Sequence, residues 1–244
     1  MKKFIPCVFA AVLVLLSLSG CVIVNFSEFD AISGKGDPES FEFRVGSYNG
    51  IRIEGHCDIR YYAASSEMVS LEIQPNLRDY FVVEVIGSEL VVRTTRRINY
   101  RSFTPVLTVS APQLNSLTIN GSGIFTAFDT INTASFSFRV SGAGSGRVEL
   151  DVENLSAHMS GAGSYVFLGK ADTVDLRLSG AGELDALGLD SRRALVNLSG
   201  TGTVSISCSE NLSINASGVG TVSYKGSPRL DLNNSGLITV RKIE

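Results

Sequence analysis

The sequence predicts an all-β protein: a β-solenoid with about 19-residue rungs, preceded by an irregular β-rich part. Three observations predict it. The first is a repeat. An alternating apolar run, a small polar residue and Gly-x-Gly recur as LTINGSG (117–123), FRVSGAG (138–144), HMSGAG (158–163), RLSGAG (177–182), NLSGTG (197–202) and NASGVG (215–220), with a degenerate last copy, LDLNNSG (230–236). The first Gly falls at 121, 142, 161, 180, 200, 218 and 236, so successive copies lie 21, 19, 19, 20, 18 and 18 residues apart. The second is the period inside each copy. Phe136, Phe138 and Val140 alternate with Ser137 and Arg139, and Val174, Leu176 and Leu178 alternate with Asp175 and Arg177. Period 2 marks a strand with one buried face. The third is length. A second short strand follows each Gly pair, as in Tyr165-Val166-Phe167, which leaves no room for a helix of about 10–12 residues.

A rung this short cannot bury its own apolar side, so it stacks on its neighbours. The Gly pairs mark sharp corners between strands, and the Ser or Asn before each pair can bond the backbone there. Seven rungs at about 4.8 Å each would make a rod roughly 30–35 Å long. A barrel or sandwich of hairpins would show two-residue Asn-Gly or Asp-Gly turns at shorter spacing, and these are scarce.

From the N-terminus, residues 1–20 read as a signal peptide: Lys2 and Lys3, then an apolar run from Phe4 to Leu16, too short to span a bilayer. Leu18-Ser19-Gly20-Cys21 resembles the lipobox of bacterial lipoproteins. That resemblance implies cleavage before Cys21 and acylation of its thiol, with chains such as palmitate, which anchor the protein stably to a membrane. Val22 is not the Asp of an inner-membrane retention signal, which points to the outer membrane. Residues 21–40 read as a polar tether, residues 41–115 as the β-rich N-terminal part and residues 116–244 as the Gly-x-Gly solenoid. Candidate strands of the N-terminal part are 41–45, 50–55, 59–63, 69–74, 81–86, 90–95 and 106–110, rich in Val, Ile, Tyr and Phe and punctuated by Gly, Ser, Asn and Pro. Cys57 and Cys208 are the cysteines left in the folded part. The compartment permits a disulfide, but their distance in sequence favours two independent buried residues.

Composition narrows the chemistry. The 244 residues carry a net charge of −3, which becomes −5 once Lys2 and Lys3 are removed, so nucleic acid is not an expected partner. Two His leave too few ligands for a multi-His metal site, and no stacked Asp ladder exists for calcium. The Gly pairs enter strands rather than helices, so no phosphate loop is expected. The only basic cluster, RTTRRINYR (93–101), reads as a solvated loop. No Trp is present and the Tyr residues are scattered, so no tight sugar platform is written into the repeat.

Stacking makes outward rows readable, because equal offsets from each Gly align. Three residues before it the row is Thr118, Arg139, His158, Arg177, Asn197, Asn215 and Asn233; five before it the row is Ser116, Ser137, Ser156, Asp175, Leu195, Ser213 and Asp231. Arg139, His158 and Arg177 thus form a candidate ligand patch. Glu183 and Asp185 follow one Gly pair, and Glu149 and Asp151 hold a similar place two rungs earlier. These carboxylates are not on adjacent rungs, so no catalytic residue, metal or cofactor is assigned. Asp129-Thr130-Ile131 and Asp172-Thr173-Val174 resemble an O-glycosylation acceptor pattern, which makes Thr130 and Thr173 candidate loop sites.

From about Phe41 onward the chain resembles the head GIN domain family of auto-transporter adhesin-like proteins. The resemblance rests on the Gly50-to-Asp58 segment, on residues 89–123 (ELVVRTT…VLTVSAPQLNSLTINGSG) and on the ladder of Ser-Gly-Ala-Gly repeats. It implies a right-handed parallel β-helix, exported and commonly lipidated. The leading expectation is a non-enzymatic, lipid-anchored envelope module, adhesin-like or structural, whose partners are the membrane and a surface glycan or protein. The alternatives are a polysaccharide-binding or polysaccharide-degrading β-helix and a periplasmic accessory protein. If the threonines carry glycan, the intact mass of the lipoprotein exceeds polypeptide plus lipid; a mass equal to that sum removes the modification.

Overall fold

A computed structural model describes residues 31–244 except Ser102. The expected signal peptide, Cys21 and the first part of the tether lie outside the described residues.

The N-terminal elements are β1 (Ile32–Ser33), β2 (Glu39–Glu42), β3 (Gly50–His56), β4 (Asp58–Ala63), β5 (Met68–Ile73), β6 (Phe81–Ile86), β7 (Glu89–Thr94), β8 (Ile98–Asn99) and β9 (Val106–Ala111), with a 3-10 turn at Pro75–Tyr80. The solenoid continues through β10 (Ser116–Ala127), β11 (Ile131–Val140), β12 (Ala143–Met159), β13 (Ala162–Leu178), β14 (Ala181–Leu198), β15 (Thr201–Ala216), β16 (Val219–Lys225), β17 (Arg229–Asn234) and β18 (Leu237–Lys242). Each expected strand of the N-terminal part has a counterpart, with ends mostly within one residue, but the strand expected at 41–45 runs instead over Glu39–Glu42. The fold begins earlier than the tether reading placed it, because β1 pairs with β8 and β2 pairs with β5.

Each rung contributes to three faces. The first face is a parallel ladder of nine strands in the order β7, β3, β10, β11, β12, β13, β14, β15 and β17. The second follows each corner and runs from β9 and β4 through β10 to β16 and β18. The third lies within the long strands, where Leu150, Gly169 and Leu189 share a row. The rows read from the repeat are the observed rows throughout. The uneven spacings are absorbed beyond the corner. The longer rung between Gly180 and Gly200 is accommodated by a shift of register after Val166, where Leu168 pairs with Gly188, while the first face stays in step.

Two rungs escape the sequence repeat. Arg52-Ile53-Glu54-Gly55 stacks directly under Thr118-Ile119-Asn120-Gly121, and Glu89–Arg93 lies beneath it. Cys57 takes the place of the second corner Gly, with its N–H donated to Ser122 O at 2.9 Å. This end is closed by antiparallel strands: β6 on β7, β5 on β9 and β2 on β5.

The core is a column of inward rows, buried from Ile51 to Val222. At its centre Phe138 meets Tyr165 and Phe167 edge-on, with centroids 4.8 and 5.4 Å apart. Burial pushes the Tyr165 phenol up to about 12, and its hydroxyl has no hydrogen-bond partner among the described residues. Cys57 and Cys208 are both free and buried near opposite ends of the stack, as independent cysteines should be. Burial pushes the Cys57 thiol up to about 12, so it acts as a small hydrophobe rather than a nucleophile.

The corner sets the stacking. The carbonyl of Gly142 accepts the N–H of Ala162 at 2.8 Å, and the same bond recurs from Ala181 to Gly161 and from Thr201 to Gly180. That carbonyl points at the Gly of the rung above, so a Cβ at Gly161 would collide with the backbone of Gly142. The second Gly of the pair, as at Gly163, has φ of 152°, a conformation that side chains rarely adopt. Gly161→Ala should therefore lower stability by about 3 kcal/mol, the upper part of the overpacking range, measured as a drop in the urea midpoint. Gly46→Ala, where a Cβ meets nothing within 4 Å, should leave the midpoint unchanged.

Candidate functional site

The row three residues before the corner forms one wall of a shallow groove of about 400 Å³ on the outside of the solenoid. Alternation turns these side chains outward, and register places Arg139, His158 and Arg177 on successive rungs, flanked by Thr118 and Asn197. The opposite wall is the small polar residue before each corner, Asn120, Ser141, Ser160, Ser179 and Ser199. The buried Val140, Met159 and Leu178 lie between the two walls. The structure therefore brings the three patch residues together. The serine wall was visible in the sequence as the most constant position before Gly-x-Gly, but it reads there only as corner chemistry.

Charge in the groove is partly neutralised internally. Arg177 donates from Nε and Nη2 to Asp175, at 3.0 Å to Oδ1 and 2.7 Å to Oδ2. His158 Nε2 lies 3.9 Å from Asp175 Oδ2 and 3.4 Å from Ser156 Oγ. Desolvation, then repulsion from Arg177, holds the His158 imidazole below its ordinary value against the pull of Asp175; Arg139 adds a smaller repulsion. The ring is accordingly neutral at pH 7 and offers one donor and one acceptor. Among the described residues Arg139 bonds only the neutral Ser137 hydroxyl, so one guanidinium is in excess.

Asp175 is the carboxylate beside the groove, and it is occupied by Arg177. Glu149 and Asp151 do not share rows with Glu183 and Asp185, contrary to the sequence reading. Glu149 aligns with Leu168, and Asp151 aligns with Lys170, because they follow Gly142 by 7 and 9 residues whereas Glu183 and Asp185 follow Gly180 by 3 and 5. Among the described residues no cluster of three His, Cys, Asp or Glu is placed to hold a metal ion.

The remaining candidates separate. Thr130 is exposed in the turn between β10 and β11. Thr173 lies inside strand β13 rather than in a loop, and its hydroxyl accepts a bond from Arg193 Nη2 at 3.3 Å. The basic run from Arg93 begins on β7, where Arg93 pairs with Glu84 at 3.0 Å. Sequence reading missed two features. Arg192 bridges Asp172 and Glu210 across three rungs at another corner, at 3.0 and 2.8 Å. Tyr62 and Phe128 stack on the surface, 4.8 Å apart and 2° from parallel, although they belong to segments far apart in the chain. No helix among the described residues is long and apolar enough to cross a membrane.

Residues 47–228 match the family model described as "Putative auto-transporter adhesin, head GIN domain". Among solved structures, a putative adhesin from Bacteroides fragilis superposes with a TM-score of 0.82 at 21% identity, covering 87% of this chain and 100% of that one. A putative adhesin from Parabacteroides merdae gives 0.69 at 19%, and a putative lipid binding protein from Parabacteroides distasonis gives 0.69 at 23%, each covering 88% of this chain and 100% of the other. At these identities the likeness speaks for the fold alone. Among the curated proteins none matches.

The electrostatics give a titration test. In a proton NMR titration the His158 midpoint should lie below the ordinary histidine value of about 6.5. Arg177→Ala should raise it, because it removes a repelling cation and frees Asp175. A folded value below the unfolded one means that the His158 contribution to stability is full above the ordinary histidine range. It is lost as pH falls through the folded midpoint.

Proposed function

Since the chain belongs to the head GIN domain family, we propose that it is a lipid-anchored, adhesin-like binding module of the cell envelope. It is held in the outer membrane by acylated Cys21 and binds its partner without catalysis. The observation that carries this reading is the groove: a row of Arg139, His158, Arg177 and Asn197 facing a row of serines, with one donor or acceptor per wall at each rung. Parallel strands repeat at about 4.8 Å, so the groove offers evenly spaced hydrogen-bonding groups with one excess cation. That pattern suits an extended, hydroxyl-rich chain bearing carboxylates, an acidic glycan. Hydrolysis of a glycosidic bond uses two carboxylates about 5–9.5 Å apart; among the described residues the groove is lined by none, and Asp175 beside it is already paired with Arg177. Of the two glycosylation candidates, exposed Thr130 is the acceptor proposed here.

The test uses the full-length lipoprotein. Binding to a panel of acidic and neutral polysaccharides should favour the acidic members and fail in the Arg139→Ala, Arg177→Ala double variant. Turnover of any panel member by the native protein, lost in the double variant, would replace this reading with an enzyme. Protease should cut the solenoid on intact cells. Protection until lysis would favour the periplasmic accessory alternative.

A further inference from the structure

The two ends of the solenoid differ. The N-terminal end is closed by antiparallel strands, whereas among the described residues nothing pairs with the outer edge of β17 or β18. On β17 the inward positions are Leu230 and Leu232, which stack on Leu212 and Ile214. Those predecessors are 1% and 0% exposed, but Leu230 is 39% and Leu232 45% exposed. The third inward position is polar: Asn234 donates to Ile238 O at 3.1 Å and accepts from Gly236 N. The end is thus partly plugged at the corner and open over β17. An edge strand with apolar residues and free backbone groups is a template for pairing.

The backbone and the charges specify the partner. Ser235 donates its N–H to Ala216 O at 2.9 Å. By alternation the odd-numbered residues turn their backbone groups toward β15, and Leu230 and Leu232 turn theirs to the open edge. A second copy approaching this edge about a twofold axis pairs antiparallel with it. Three registers bring edge-facing backbone groups together, with the axis at Leu230, Asp231 or Leu232; with the axis at Leu230, Leu232 donates its N–H to the Pro228 carbonyl of the other copy, and Pro228 has no N–H to return. An axis at Asp231 sets two aspartates face to face, which is unfavourable, and an axis at Leu232 sets Asp231 against Asn233. An axis at Leu230 sets Arg229 against Asp231 of the other copy, twice. In this register Leu230 meets its own counterpart and the two apolar columns join. Neither Arg229 nor Asp231 has an ion-pair partner among the described residues, whereas Asp175 and Arg177, two residues apart on a strand in the opposite order, pair with each other.

We propose that the open C-terminal rung is a self-association surface, through which two copies join end to end by antiparallel pairing of β17 about Leu230, with reciprocal Arg229–Asp231 ion pairs.

The register makes this testable in the full-length protein. Opposed Cα atoms of a hydrogen-bonded antiparallel pair lie about 5.5 Å apart, within disulfide range. Leu230→Cys should therefore give an oxidation-dependent dimer on non-reducing electrophoresis that the parent, whose Cys57 and Cys208 are buried, does not give. Adding Asp231→Arg should cut the dimer about tenfold, because two attractive pairs become repulsive. Adding Arg229→Asp to that variant should restore it. Light scattering of the detergent-solubilised parent should independently give twice the chain mass, and protease resistance should confirm that each variant folds. A monomeric parent, a cross-link indifferent to the charge reversal, a stronger cross-link from Leu232→Cys, or an adduct to a different protein would each overturn the proposal.

Discussion

The structure depends on one close approach. At every corner a glycine carbonyl must reach the N–H one rung above, and the backbone above must pass over that carbonyl with no side chain between them. This contact holds the first face in constant register while the spacing of the corner glycines in the chain varies. Insertions are pushed to the later faces, where the ladder tolerates a shift. The outward rows inherit that constancy, which is why side chains one whole rung apart in sequence meet at strand spacing in space. The groove is a by-product of the corner: its serine wall stands one residue before the glycine, and its basic wall stands three.

Within the groove, proximity and charge work against each other. Three basic residues on successive rungs would repel if all were charged. Asp175 and desolvation of His158 relieve this, leaving a mixed surface in which Arg139 is the cation without a carboxylate partner among the described residues. On the reading proposed above, the one excess cation would favour a carboxylate and the alternating hydrogen-bonding groups would set the spacing of the partner.

Much of this was legible in the sequence because the fold repeats. Once the glycines fix the frame, alternation gives the buried face and equal offsets give neighbours, so the placing of Arg139 beside His158 followed from counting. Counting failed where the frame broke. Gly55 is a corner glycine, but Cys57 replaces its partner and the next corner in the stack, Gly121, lies several strands further along the chain. That rung therefore carries no repeat signal. The misplacing of Glu149 and Asp151 has a different origin: they stand further past their corner glycine, Gly142, than Glu183 and Asp185 stand past Gly180, so equal offsets never put them in one row. Tyr62 and Phe128 come together only because β4 stacks on β10, a pairing between chain-distant segments that a local pattern cannot reveal. The antiparallel closure of the N-terminal end was invisible for the same reason.

The near-identity of the rungs has a consequence for how the chain finds its place. Two repeats that differ mainly in outward residues can exchange positions with little loss of core contact, so a frame displaced by one whole rung competes with the native one. The irregular rungs are what distinguish them: β3 fits between β7 and β10 and nowhere else, and its pairings join residues far apart in the chain. That three-strand junction serves as an origin from which the remaining rungs are numbered. The irregularity of the N-terminal part is therefore the source of addressing in a molecule otherwise built from interchangeable units.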